Sequence, residues 1–217
     1  MASPPTTRLD AAHFDAQALR WDANPAFRAR GEKLAQAIRQ AVPLGPHMRA
    51  LDYGSGTGLL SFPLKDELGS ILLADSSGGM LEVAARKIAE QGVRNLATVK
   101  LDLLVDPLPA QRFDLIYTSM TLHHVPDTDR ILRIFHALLK PGGYLCVADL
   151  DQEDGSFHGP EVDVHHGFDR AELSRRAAKA GFGDVRFQTV FSITKEQENG
   201  ARDYPVFLMS AQRANHP

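Results

Sequence analysis

The segment Leu51-Asp52-Tyr53-Gly54-Ser55-Gly56-Thr57-Gly58 constrains the fold more than any other stretch of the chain. A short run with strand character, His47–Tyr53, leads into it, and a helix-compatible run from Gly58 leads out. Three glycines at alternate positions remove the Cβ atoms that would keep a ligand away from the backbone between strand and helix. Asp75 closes the next apolar run, 21 residues beyond Gly54, where a carboxylate can accept hydrogen bonds from both ribose hydroxyls of a nucleoside. Loop and acid together define an adenosine-type site. The glycines run G-x-G-x-G, and Leu59 stands where a dinucleotide fingerprint has its third glycine, which disfavours a pyrophosphate.

The rest of the chain repeats the strand-helix rhythm. Leu19, Phe27, Leu34, Ile38 and Val42 recur at mostly helical spacings, and Pro25 divides that stretch into two helices. The pattern then predicts a helix from Gly58 to Leu68 with Pro63 as a blemish, a strand at Ile71–Ala74 and a helix from Gly79 to Gln91, ended by Gly92. Strands follow at Leu96–Leu101 and Phe113–Ser119, then a helix at Asp129–Lys140 stopped by Pro141-Gly142-Gly143, and a fifth strand at Tyr144–Asp149. Asp151 to Gly167 reads as a polar loop, and Asp169 caps a helix reaching Ala180. Val185–Thr194 and Tyr204–Ala211 alternate as an antiparallel pair joined by the polar segment Glu196–Asp203. Strands alternating with helices imply a mainly parallel sheet covered on both faces.

Composition narrows the class. At 217 residues, with 43% hydrophobic and 24% charged content, the chain fits one core. We expect a single domain over residues 1–217, with 1–8 a disordered arm, 9–42 a helical cap and 43–217 the α/β core. The formal net charge of −3 advertises neither nucleic acid nor an anionic membrane. Cys146 is the only cysteine, which excludes a disulfide framework and fits a reducing compartment. With no leader-like start and no apolar run of about 20 residues, we expect a cytoplasmic monomer or homodimer with a small-molecule partner and no membrane span.

LDYGSGTGLL resembles the first motif of the class I S-adenosylmethionine-dependent methyltransferases, and LLADSSGGML, the Asp102-Leu103 pair, FDLIYTSMTLHHV and LLKPGGYLCVADLD resemble the motifs that follow it. The match runs from about Arg49 to Leu150 in order and is nearest in character to the small-molecule enzymes of ubiquinone and menaquinone biosynthesis. That resemblance implies a Rossmann-like, doubly wound seven-stranded sheet of order 3-2-1-4-5-7-6 with its last strand antiparallel. It implies S-adenosylmethionine as cofactor and S-adenosylhomocysteine as product, bound by Asp52, Gly54, Ser55, Gly56, Thr57 and Asp75. Ser76 and Met80 would flank the adenosine, Asp102 and the Leu103 backbone would meet the adenine, and the Ser119 backbone would line the site. Met80 read on its own is equally a core residue, and Asp102 a turn residue.

Methyl transfer from a sulfonium is an in-line displacement, so the protein chiefly aligns donor and acceptor. Where the acceptor carries a proton to be lost, histidine has a suitable unperturbed pKa of about 6.5. His123 and His124 follow the fourth strand, and we favour His124 as the base, with packing of one and solvation of the other as the bland alternative. His165 and His166, in the loop after the fifth strand, are assigned to the substrate. The loop acids Asp151, Glu153, Asp154, Glu161 and Asp163 show no ligand spacing, so no metal is assigned. Phe14 and Trp21, seven residues apart on one helical face, suggest a lid in which Trp21 or Phe14 shields the sulfonium, with simple packing on the sheet as the bland alternative. Thr118-Ser119-Met120-Thr121 stands where nucleic-acid amino methyltransferases carry [N/D]-P-P-[Y/F], which counts against a base acceptor. Two rivals are a non-catalytic S-adenosylmethionine-binding module and an NAD(P)-dependent oxidoreductase, the latter lacking a Tyr-x-x-x-Lys pair.

Overall fold

The computed structural model describes residues 10–197 and 200–214; the arm expected at residues 1–8 lies outside them. Two helices, α1 (Ala11–Trp21) and α2 (Pro25–Ala41), precede the first strand. Pro25 does not merely interrupt: it occupies the first turn of α2, where its missing amide hydrogen costs nothing, behind an Asn24 cap whose side chain accepts from Ala26 N. The core then alternates β1 (Arg49–Tyr53), α3 (Ser61–Leu64), β2 (Ser70–Asp75), α4 (Gly78–Glu90), β3 (Leu96–Lys100), β4 (Phe113–Ser119), α5 (Thr128–Leu138), β5 (Leu139–Leu150) and α6 (Arg170–Lys179), ending in β6 (Phe182–Gln197) and β7 (Gly200–Arg213).

The sheet has seven strands in the order β3-β2-β1-β4-β5-β7-β6, with β7 antiparallel to both neighbours, as the resemblance implied. Its central strands are apolar because both faces are covered. Leu34, Ile38, Ala50, Leu64 and Tyr117 belong to the core on one side, and Leu51, Phe113, Ile116, Phe135 and Phe207 to that on the other. Cys146 sits in β5, fully buried among them, and burial pushes its thiol up to about 12, so it packs as a small apolar side chain.

Four sequence expectations give way. The helix expected over 58–68 is a single turn, because Pro63 has no amide hydrogen and the next residues close short bonds, Lys65 N to Phe62 O and Glu67 N to Leu64 O. The helix expected to reach Lys140 ends at Leu138, and β5 begins five residues early because Leu139 pairs with Phe113. The polar segment expected to join the pair is itself paired at its described residues, Glu196 with Ala201 and Gln197 with Gly200, so the ladder continues beyond Thr194. Leu19 is 77% exposed, while Ala18 is 2% exposed, because α1 turns the face of Phe14, Ala18 and Trp21 inward and Leu19 lies off that face. Among the described residues, no helix is long and apolar enough to cross a membrane.

Candidate active site

A cavity of about 920 Å³ opens at the carboxyl ends of the central strands, where β1 and β4 lie side by side but their connections leave in opposite directions. Ligands bind at such switch points in open α/β sheets because the strand-to-helix loops diverge there. Its volume is at the upper end of the range of about 300–1,000 Å³ for small-molecule sites.

The loop after β1 forms one end. Gly54 N and Ser55 N both donate to Ala74 O of β2, which ties the loop to the neighbouring strand. At Gly54, φ is +70° and a Cβ would meet the Thr121 side chain at 2.2 Å. Gly56 also has positive φ, +53°, but a Cβ there would meet nothing within 4 Å. The first glycine is thus required by packing and the second is bare towards the cavity it lines. Asp75, at the end of β2, accepts from Gly56 N at 2.7 Å and from Ser77 N at 2.8 Å, and burial raises its carboxyl above the ordinary range. A carboxylate has about four acceptor positions, so ligand hydroxyls can still be received. Ser55 Oγ, buried in the loop, has no hydrogen-bond partner among the described residues. Beneath the loop, Asp52 accepts from Ser61 Oγ at 2.7 Å, which also lies 2.7 Å from Tyr117 Oη. Burial, with a smaller contribution from Asp75, pushes the Asp52 carboxyl up to about 7 against the pull of the Ser61 bond.

Imidazoles form the other end. After β4 the chain turns through Met120, which takes a left-handed φ of 52° rare for a side chain of its size, into the short 3-10 turn Leu122–His124. This carries His123 back against Asp149 at the end of β5: Asp149 Oδ1 accepts from His123 Nδ1 at 2.7 Å and from Leu150 N at 2.8 Å, and Oδ2 accepts from His123 N at 3.1 Å. Both side chains are almost fully buried, at 1% and 0% exposure. The carboxylate fixes Nδ1–H and leaves Nε2 as the acceptor side of the ring. Nε2 faces His158 Nε2 at 3.1 Å, and the His124 ring centroid lies 4.1 Å from that of His123.

A roof closes over both ends. Phe14, Trp21 and Phe27 line the cavity, with ring centroids 6.3 Å apart for the first pair and 4.7 Å for the second, and Phe14 meets His124 edge-on at 5.6 Å. Acidic side chains hold α1 down: Asp15 accepts from Ser77 Oγ at 2.5 Å and Gly79 N at 2.8 Å, and Asp22 from Thr57 Oγ1 at 2.5 Å and Lys87 Nζ at 2.6 Å.

Of the residues singled out in the sequence, Asp52, Gly54, Ser55, Gly56, Thr57, Asp75, Ser76, Met80, Asp102, Ser119, His123, His124 and Trp21 all line this cavity. Leu103 does not: its side chain is 1% exposed in the core, and Leu104 and Val105 take the wall beside Asp102. His165 and His166 also lie off it. The His165 amide donates to His123 O and its Nε2 to Val125 O, both at 2.9 Å, while exposed His166 leans against Gly155. They brace the loop and do not line this cavity. Sequence reasoning missed Asp149 and His158. An ionisable residue closing the apolar run Leu145–Leu150 was a usable signal for the first; the second had none.

A family model described as a methyltransferase domain matches residues 44–162. The ubiquinone/menaquinone biosynthesis C-methyltransferase UbiE of Shewanella sp. (strain ANA-3) is 36% identical over 111 residues, covering 49% of this chain and 44% of the relative. The chain thus spans less than half the length of the curated relatives it matches. A SAM-dependent methyltransferase from Aquifex aeolicus superposes with a TM-score of 0.67 at 20% identity over 95% of this chain and 100% of its own. The phosphoethanolamine N-methyltransferase 2 of Haemonchus contortus, solved with S-adenosyl-L-methionine, has a TM-score of 0.68 at 16% identity over 96% of this chain and 58% of its own.

Proposed function

The chain belongs to the methyltransferase-domain family, and from that premise we propose that it moves the methyl group of S-adenosylmethionine to a small organic acceptor and releases S-adenosylhomocysteine. The observation that carries this reading is the glycine loop, where Gly56 offers bare backbone beside the Asp75 carboxylate and the unpartnered Ser55 hydroxyl. When bound, the cofactor supplies a methyl group already activated by its sulfonium, so the work left to the protein is alignment and exclusion of water.

Asp75 holds the ribose through its remaining acceptor positions, Ser76 and Met80 flank the adenosine, and Asp102 with the backbone at Leu103 and Leu104 meets the adenine. Asp52, Thr57 and Ser119 frame the end nearer the methyl. Trp21, with Phe14 and Phe27, keeps water from the sulfonium. The acceptor lies against His123, His124 and His158, which receive the proton that a hydroxyl, ring carbon or protonated amine gives up. His123, oriented by Asp149, replaces His124 as the better placed base, because its tautomer is fixed by a buried carboxylate. A net charge of −3 and the absent [N/D]-P-P-[Y/F] block favour a small molecule over nucleic acid.

Calorimetric titration of the protein and of Asp75→Ala with S-adenosylmethionine, S-adenosylhomocysteine and NAD(P) tests this. Micromolar binding of the first two is expected, weakened by about 100-fold in the variant through two lost charge-assisted hydrogen bonds. Preferential binding of NAD(P), or equal affinity in both proteins, would overturn it.

A further inference from the structure

We propose that His123, His124 and His158 form a binding site for one divalent transition-metal ion of the zinc class, with Asp149 as the carboxylate that orients His123 behind it. One ring nitrogen from each of the three histidines lies within 4.8 Å of the other two. Two imidazole nitrogens at about 2.05 Å from a tetrahedral metal stand about 3.3 Å apart, and His123 Nε2 and His158 Nε2 are 3.1 Å apart. The His123 ring is held from behind, Nδ1 to Asp149 at 2.7 Å, in the carboxylate–histidine arrangement that fixes the tautomer of a metal ligand and raises its basicity.

That arrangement has a consequence for the facing pair. With Nδ1 protonated, His123 presents a lone pair to His158, so something positive belongs between the two nitrogens: a proton on His158 Nε2, or a metal ion. His158 is held where a ligand needs to be. Its neighbour Phe157 is 8% exposed, stacks edge-on against Tyr204 at 5.1 Å, and receives Lys195 Nζ on its carbonyl at 2.5 Å. Lys195 is a like charge facing the site, and its hydrogen bond to the Phe157 carbonyl turns it to that oxygen. Three protein nitrogens are the ligand number of catalytic rather than structural zinc, with a further position for solvent or substrate.

This deepens the reading of the cavity as a methyltransferase site and rests on it for the purpose of the metal. With a metal bound the imidazole lone pairs are engaged, so the cation takes over from His123 as the means of deprotonation: it lowers the pKa of a hydroxyl that reaches it, the proton passing to solvent, which points to an acceptor carrying a phenol, enol or similar hydroxyl.

The test uses untagged, chelator-stripped protein. It is titrated with Zn²⁺ by calorimetry and with Co²⁺ by visible absorption, and S-adenosylhomocysteine affinity is measured in the same samples. One equivalent of metal is expected, with the intense d–d bands of four- or five-coordinate Co²⁺. Binding should fall at least about tenfold in His158→Gln and His124→Gln, and by about 10–100-fold in Asp149→Asn. The exposed His47→Gln should bind as wild type. His158 lies in a loop, so circular dichroism should show that its variant keeps the fold. Absence of stoichiometric binding, or binding unchanged in a folded His158→Gln, would overturn the site and assign the 3.1 Å contact to a hydrogen bond. Protein that binds S-adenosylhomocysteine but no metal sinks the metal site alone, and protein that binds metal but no S-adenosylhomocysteine sinks the methyltransferase reading alone.

Discussion

The two ends of the cavity are built in opposite ways. The glycine end comes from consecutive residues after β1 and one carboxylate closing β2, and its working surface is backbone. The histidine end is made of side chains from three places: a short turn after β4, the end of β5, and a loop beyond it. Backbone recognition needs particular conformations, and those need particular residues in order, so it leaves a mark in the sequence. Side-chain recognition needs only that topology bring the groups together, and topology leaves no local mark.

The sharpest way to break this contrast is to remove one histidine at a time. His123→Ala takes from Asp149, which is 0% exposed, its imidazole donor and leaves it the two backbone N–H donors, a loss of about 2–3 kcal/mol for a hydrogen bond to a buried charged group. His124→Ala leaves that pair intact and should cost less than about 1 kcal/mol. Urea unfolding of both variants checks this; equal losses would show that the histidine end is held by general packing and not by the Asp149 pair.

What was legible follows the same division. Most element positions were readable because alternation and glycine punctuation are local, whereas the strand order came only from the family resemblance, since periodicity does not encode it. Asp75 was readable because loop and acid keep a fixed spacing along the chain. His123 and Asp149 are 26 residues apart and meet only because β4 and β5 are adjacent parallel strands. His158 was invisible for a further reason: its loop has no periodicity, and its place is fixed by Lys195 and Tyr204 from the terminal hairpin. The substrate assignment went instead to His165 and His166, which share that loop but brace it. Leu19 misled for a related cause, since α1 turns the face of Phe14, Ala18 and Trp21 inward and Leu19 lies off it.

A second experiment sharpens the contrast inside the glycine loop. Gly56→Ala meets open space, so the fold should lose only about 1–2 kcal/mol of left-handed backbone strain. Affinity for S-adenosylhomocysteine should fall by about 100-fold, or about 2.7 kcal/mol, because the new methyl occupies the ligand's approach. Gly54→Ala should do the reverse, since its Cβ falls 2.2 Å from Thr121 Oγ1 and the loop itself must shift. Calorimetry and thermal melts on both variants separate the effects. If Gly56→Ala binds normally, the bare face of the loop is not the ligand cradle.

Asp52 gives the glycine end a pH signature. Its carboxyl is pushed up to about 7 from an ordinary 3.8, so between these values the folded chain holds a proton that the unfolded chain has lost. Stability therefore falls as pH rises from about 4 to about 7, by at most about 1.4 kcal/mol per pH unit, and levels off above. Asp52→Asn lacks this slope. Subtracting its unfolding free energy from that of the wild type across pH 4–8 isolates the effect from that of His158, whose lowered pKa removes stability as pH falls below about 6.5. A flat difference would mean that Asp52 is ionised throughout and that the Ser61 bond outweighs burial.

The roof is where the two ends meet, and it is the most weakly held part of the site. α1 covers the cavity with Phe14 and Trp21, yet its hold on the core is largely polar: Asp15 on Ser77 and Gly79, and Asp22 on Thr57 and Lys87. Partly exposed ion pairs of this kind contribute about 1 kcal/mol or less, which suits a segment that must let ligand in. Asp22→Ala removes the Lys87 pair and frees Thr57, a residue of the glycine loop, while touching nothing at the histidine end. Hydrogen exchange in α1 should quicken by a few-fold, and affinity for S-adenosylhomocysteine should fall by less than about fivefold. Because Thr57 belongs to the loop, slower product release is not expected; the off-rate should rise. If exchange quickens while affinity and off-rate stay at wild-type values, α1 is packing on the sheet and not a lid, and Trp21 has no part in shielding the sulfonium.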